Sequence, residues 1–202
     1  MGVPSRLTTS SYAVLGLLAI QPWTGYELTQ QAKRSLRFAW PKSERLLYAE
    51  PKKLAEHGLA TAREEAVGQR SRTVYTITDE GRQALAGWMQ TAPQPPVLEA
   101  EALLRLLFAE NGTTDDLVAA LEAMAEDAAA LYEQVATINT GYLDGEHPVP
   151  QRTHLSVLFA PFQLELFDLI VTWVDFAKAE VASWPTTEGL GMTDRTEAIL
   201  HS

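Results

Sequence analysis

The sequence predicts a mainly α chain with one small β-wing, split into a helix-and-hairpin module and a helical second half. Three observations carry this. Residues 1–90 hold 12 Lys/Arg against 8 Asp/Glu, a net of +4, whereas residues 91–202 hold 4 against 18, a net of −14. A proline-rich stretch, Thr91-Ala92-Pro93-Gln94-Pro95-Pro96, lies where the charge changes sign and reads as a stiff linker. Apolar spacing changes there too, from short helical runs and a β-branched run to two long seams of 4-3-4-3 spacing.

Composition narrows the possible functions. A net charge of −10 over 202 residues would by itself oppose a nucleic-acid partner, but the basic first half is free to face DNA while the acidic half faces protein. With no cysteine there is no disulfide, thiolate metal site or cysteine nucleophile, which fits a cytoplasmic setting. Met1–Ser11 lacks the apolar core of a signal peptide. The stretch Leu155–Trp184 is apolar, but Glu165, Asp168, Asp175, Lys178 and Glu180 interrupt it, so it reads as a buried helix and not a membrane anchor.

The first half resolves into three helices, a hairpin and a fourth helix. Ser10 or Ser11 caps a helix over Tyr12–Ile20, and Gln21-Pro22 stops it. Thr24-Gly25-Tyr26-Glu27 is a capping box opening a second helix, with Leu28, Ala32 and Leu36 inward and an end near Trp40-Pro41. Ser43 caps a third, with Glu44 in its first turn and Gly58 as its left-handed stop. Pro51 falls inside it, which predicts a bend or a loose first turn. Strands follow over about 59–64 and 72–78, joined by a turn segment centred on Gly68. Asp79–Gln90 forms the fourth helix.

In the second half, Leu117, Leu121, Met124, Ala128, Leu131, Val135, Ile138 and Tyr142 form one seam, started by Thr113 or Thr114. Leu155, Phe159, Phe162, Leu166, Leu169, Trp173 and Phe176 form another. Such spacing fits helices packed antiparallel, coiled-coil fashion. Val157, Leu164 and Val171 add a neighbouring apolar face to the last helix, more than one partner helix covers. Either that helix is central to its own domain or the second seam lies at a dimer interface; the dimer is the expectation adopted. The domain reading is 1–90 for DNA binding, 91–97 for a Pro-rich linker, 98–185 for a helical dimerisation and effector domain, and 186–202 for a mobile tail.

Three helices followed by a hairpin with a basic tip is the order of a winged helix-turn-helix, whose third helix enters the major groove of DNA. On that helix Leu47 and Leu54 point to the core, while Arg45, Tyr48, Ala49 and Lys52 occupy the other face beside Glu56. Arg suits guanine, Lys and Tyr suit phosphates, and Ser43 sits where helix amides meet a phosphate, with Lys42 beside it. The wing offers Gln69, Arg70 and Arg72. An ordinary solvated helix face and polar turn is the simpler account of each feature alone; their combined order favours DNA binding.

These residues also resemble a known family. Tyr12-Ala13-Val14-Leu15-Gly16-Leu17-Leu18, Gly25-Tyr26-Glu27-Leu28, Trp40-Pro41-Lys42-Ser43-Glu44, Leu54-Ala55-Glu56-His57-Gly58-Leu59 and Arg72-Thr73-Val74-Tyr75-Thr76-Ile77-Thr78-Asp79-Glu80-Gly81 are similar, in order, to motifs of the PadR family of winged-helix transcriptional regulators. The resemblance covers residues 9–85; the second half is similar in length and character only. One departure is Pro51, three positions after Tyr48 where the common pattern has proline directly after that tyrosine. The resemblance implies a homodimeric regulator, usually a repressor, that binds an inverted repeat in double-stranded DNA and is commonly released by a small aromatic or drug-like effector.

Trp88, Phe159, Phe162 and Trp173 are candidates for an aromatic effector pocket, though residues at seam spacing equally suit a core. No cofactor, metal, membrane or catalytic role is expected: His57, His147, His154 and His201 are scattered, and no phosphate-binding loop or nucleophile elbow is present. The competing reading is a winged-helix protein-interaction module without sequence-specific DNA binding.

Overall fold

A computed structural model describes residues 7–36, 40, 44–67 and 70–201. They fall into two compact units, Met1–Pro95 and Pro96–Ser202. The first contains α1 (Thr9–Ile20), β1 (Trp23–Thr24), α2 (Gly25–Ser35), α3 (Glu44–Glu56), β2 (Ala60–Val67), β3 (Arg70–Ile77) and α4 (Asp79–Met89).

Thr8 caps α1 in place of Ser10 or Ser11, accepting the Ser11 amide while the Ser11 hydroxyl accepts from the Thr8 amide. Ser10 and Ser11 are thereby left inside the helix and buried. The Thr24–Glu27 capping box of α2 is formed as expected. Glu27 accepts from the Thr24 backbone amide at 2.9 Å and from its hydroxyl at 2.8 Å. The amide first, then the hydroxyl, holds the Glu27 carboxyl below its ordinary value, because both favour the charged form. Its stabilisation is complete above the ordinary carboxylate range and is lost as pH falls through the lowered folded value. Thermal melts of Glu27→Gln should therefore fall less than the wild type's between pH 5 and pH 3, roughly the interval below the 4.5 of an unperturbed glutamate. An equal fall in both proteins would remove the cap from the acid response.

α2 stops at Ser35, not near Trp40-Pro41, with Leu36 as its C-cap and Lys33 and Arg34 placed to meet the helix dipole. Between Glu44 and Glu56 α3 is continuous, and Pro51 is fully buried within it. Its end is a Schellman turn: Gly58 has φ +73°, its amide bonds Ala55 and the Leu59 amide bonds Leu54. The expected cap at Ser43 lies outside the described residues.

The hairpin is longer than expected. β2 and β3 pair antiparallel from Ala60↔Ile77 to Val67↔Arg70, and β1 pairs with β3 through Trp23↔Tyr75 and Thr24↔Val74. β1 was not expected; Trp23 Nε1 also donates to the Leu17 carbonyl at 2.9 Å, closing the segment back on α1. Val14, Leu15, Leu18, Leu28, Leu47, Leu54 and Ile77 lie in the core beneath α3.

The second unit holds α5 (Glu101–Leu107), a short 3-10 turn, α6 (Thr114–Leu143), α7 (Thr153–Val181) and α8 (Asp194–Leu200). Thr113 is the cap of α6, reciprocated by Asp116. α6 and α7 are antiparallel, since Leu117 and Leu121 near the start of one cluster with Val174, Ala177 and Val181 near the end of the other. The α6 seam faces inward, with Leu117, Leu121, Ala128 and Val135 buried.

Apart from Trp173, which packs against the α6–α7 cluster, the α7 seam is not the buried face of the helix. The buried stripe of α7 is Ala160, Gln163, Phe167, Val174, Ala177, Glu180 and Val181. Val174, Ala177 and Val181 of that stripe pack with Leu117 and Leu121 of α6. By length and composition the segment Pro150–Val181 could cross a membrane, but its inward stripe is spent on α6. Within the expected mobile tail, α8 forms behind its own Thr193 cap, and Arg195 makes a two-pronged pair with the nearly buried Glu180. Seven residues are too few to register as a periodic pattern.

Candidate nucleic-acid interface

The two faces of α3 have different jobs. Leu47, Glu50, Pro51 and Leu54, at i, i+3, i+4 and i+7, are buried against the core. Arg45, Tyr48, Ala49, Lys52 and Glu56 are exposed on the opposite side. Four of the expected contact residues are thus brought together on one outward strip. Tyr48 also packs over the start of α2, where a Cβ on Gly25 would lie 3.6 Å from its ring. The strip presents a guanidinium, an ammonium and a phenol, a set able to pair with base edges and phosphates.

At the wing, Arg72 is exposed and its guanidinium lies 3.1 Å from Glu65, its cross-strand partner. The cation is therefore partly neutralised, which the strand pattern alone did not reveal. Arg70 begins β3, but its side chain lies outside the described residues, as do Lys42, Ser43 and Gln69. Sequence reasoning missed Glu50, a buried carboxylate on the inner face of α3.

Of the four aromatic pocket candidates, two stack on each other and two have other partners. Trp88 stacks on Tyr12, with ring centroids 5.0 Å apart. Phe159 and Phe162 stack at 6.2 Å. Trp173 packs with the α6–α7 core cluster, fourteen residues beyond Phe159 on the same helix, or about 21 Å along its axis. A different cleft of about 280 Å³ opens beside α5 and the start of α6, lined by Leu104, Phe108, Leu117, Arg105 and Asp116 among others. Of its lining only Leu117 belongs to a seam read from the sequence.

Three helices, a two-strand wing that also pairs with β1, a fourth helix and an exposed polar face on the third helix make a winged helix-turn-helix fold. Residues 14–87 match the transcriptional regulator PadR-like family. The negative transcriptional regulator PadR of Bacillus subtilis is 34% identical over 99 residues, which are 48% of this chain and 54% of that protein. The chain thus spans about half the length of this curated relative. Among solved structures, B. subtilis PadR in complex with operator DNA matches with a TM-score of 0.72 at 24% identity, covering 88% of this chain and 99% of the other. The same protein in complex with p-coumaric acid matches at 0.61 and 23% identity, covering 89% and 100%. These similarities to solved structures establish the fold; the matched family and relative are transcriptional regulators, not enzymes.

Proposed function

We propose that the chain is a homodimeric, sequence-specific DNA-binding transcriptional regulator acting in the cytoplasm, a repressor that binds an inverted repeat. The observation that carries this is the division of α3, whose outward Arg45, Tyr48, Ala49 and Lys52 stand opposite its buried stripe in a region that matches the PadR-like family. In this reading α3 enters the major groove and the β2–β3 wing, with Gln69, Arg70 and Arg72, follows the adjacent backbone. Lys42 and Ser43 lie ahead of α3 and add phosphate contacts.

The outward seam of α7 supports the dimer. Phe162 and Leu169 are each 62% exposed, and Leu155 and Phe176 nearly half exposed, on a face continued by Phe159 and Leu166, while Trp173 of the same seam packs with the α6–α7 cluster. A contiguous apolar face of this length calls for a protein partner, and a second copy supplies the two-fold symmetry that an inverted repeat requires. The double variant Phe162→Glu/Leu169→Glu should run as a monomer in light scattering and lose preference for the repeat. A dimer of unchanged size would move the interface elsewhere. A small aromatic or drug-like effector completes the proposal, in keeping with the p-coumaric acid complex of the B. subtilis relative.

The test is a titration against the DNA upstream of the chain's own gene, beside a scrambled duplex, at two salt concentrations. Preferential dimer binding that weakens with salt is the expected result. Weak and equal binding to both, and to a random pool, would favour the protein-interaction reading.

A further inference from the structure

We propose that Glu50 is a positioning residue for DNA reading: through its hydrogen bond with Ser11 it sets the rotation of α3 about its own axis. The inference rests on the regulator reading above. Three of the four residues on the inner face of α3 are apolar, as burial requires; the fourth is a carboxylate only 6% exposed. Taking a carboxylate out of water is costly, so burial alone does not account for it.

Its partners explain what it can do. The Ser11 hydroxyl donates to Glu50 Oε1, and Lys53 Nζ lies 3.4 Å from the same oxygen. Ser11 is fully buried and itself fixed, because its Oγ accepts from the Thr8 amide at 3.0 Å within the α1 cap. The neighbouring Ser10 hydroxyl accepts from Trp40 Nε1 at 3.2 Å. One turn of α1 therefore holds both the chain just ahead of α3 and the middle of α3.

Apolar contacts let a helix roll, whereas a hydrogen bond between two buried groups has a required distance and direction. Side-chain tips on α3 stand about 6 Å from its axis, so a roll of about 20° moves them about 2 Å, enough to break a two-pronged base contact. Glu50 faces away from Arg45, Ala49 and Lys52 and acts on them only through the helix.

The experiment compares affinity for the duplex that the wild-type chain enriches from a random pool with affinity for a shuffled duplex of the same composition. Glu50→Leu, which keeps bulk but removes the acceptor, should lower the ratio about tenfold, the scale of one lost base contact, without a lower melting temperature. Glu50→Gln, which can still accept from Ser11, should stay within about threefold of the wild type. The ratio is decisive because loss of a negative charge strengthens both duplexes alike. Glu50→Leu with the wild-type ratio overturns the proposal, as does Glu50→Gln falling as far as Glu50→Leu. If Glu50→Leu does not fold, Ser11→Ala cuts the same bond from the other side and must give the same loss. Failure of the wild type to enrich any sequence would instead remove the regulator reading itself.

Discussion

Replacing Gly81 with alanine should destabilise the winged-helix unit by about 1–3 kcal/mol, against the helix propensity of the two residues. Gly81 lies in the first turn of α4, where Thr78 Oγ1 accepts its amide at 3.0 Å. Thr78 in turn donates its hydroxyl to the Gly58 carbonyl at 2.8 Å and its amide to the Leu59 carbonyl at 3.1 Å. The turn that ends α3 and the cap that starts α4 are thus bolted together. A Cβ on Gly81 would lie 2.1 Å from the Leu59 carbonyl oxygen and 2.8 Å from Ile77 Cγ1. The first of these is backbone already committed to Thr78, so it cannot yield without opening the joint. Alanine normally gains nearly 1 kcal/mol over glycine inside a helix, and Gly87→Ala, with nothing within 4 Å of its Cβ in the same helix, should show that gain. For a unit of this size each kcal/mol is roughly 4–8 °C in Tm, so thermal melting of the two variants should diverge in opposite directions. A Gly81→Ala protein melting at or above the wild type would mean that the close approach is relieved at no cost.

How much of this was legible in the sequence depended on whether the determining contacts were local. The capping box of α2 spans four residues and the glycine stop of α3 two, and both formed as read. The outward strip of α3 was legible because one helical period separates it cleanly from Leu47 and Leu54. β1 was not, since two residues become a strand only by pairing with β3, some fifty positions away. α5 and α8, at seven residues each, carry too few repeats for a period. On α7 both candidate faces are apolar, so spacing could not say which turns to α6; the choice shows only in the contacts of Val174, Ala177 and Val181 with Leu117 and Leu121. At the site, Arg72 was readable as a wing cation, but its partner Glu65 required the strand register. Glu50 escaped notice because a charged residue on a helix is ordinarily solvated, and its burial depends on Ser11, 39 positions earlier.

Arg45→Ala should weaken binding to the preferred sequence by about 1–3 kcal/mol, or roughly 5- to 150-fold, and flatten the preference at one base position. Arg45 is exposed on the outward strip of α3, and its guanidinium can span two acceptors on one guanine edge. Truncation leaves those acceptors to water for every base alike, so discrimination falls with affinity. Lys52 lies seven positions on along the same strip, but an ammonium acts on phosphate as a point charge. Lys52→Ala should therefore weaken preferred and shuffled duplexes by the same factor and reduce the salt slope by about one, with the preference intact. Arg70→Ala, at the turn end of the wing, belongs with Lys52. Fluorescence anisotropy at two salt concentrations on both duplexes separates the two patterns. If Arg45→Ala weakens both duplexes equally, base reading belongs to another residue on the strip, and Tyr48 becomes the next to replace. If it weakens neither, the outward face of α3 does not meet DNA, and the charge logic of the proposal fails at its centre.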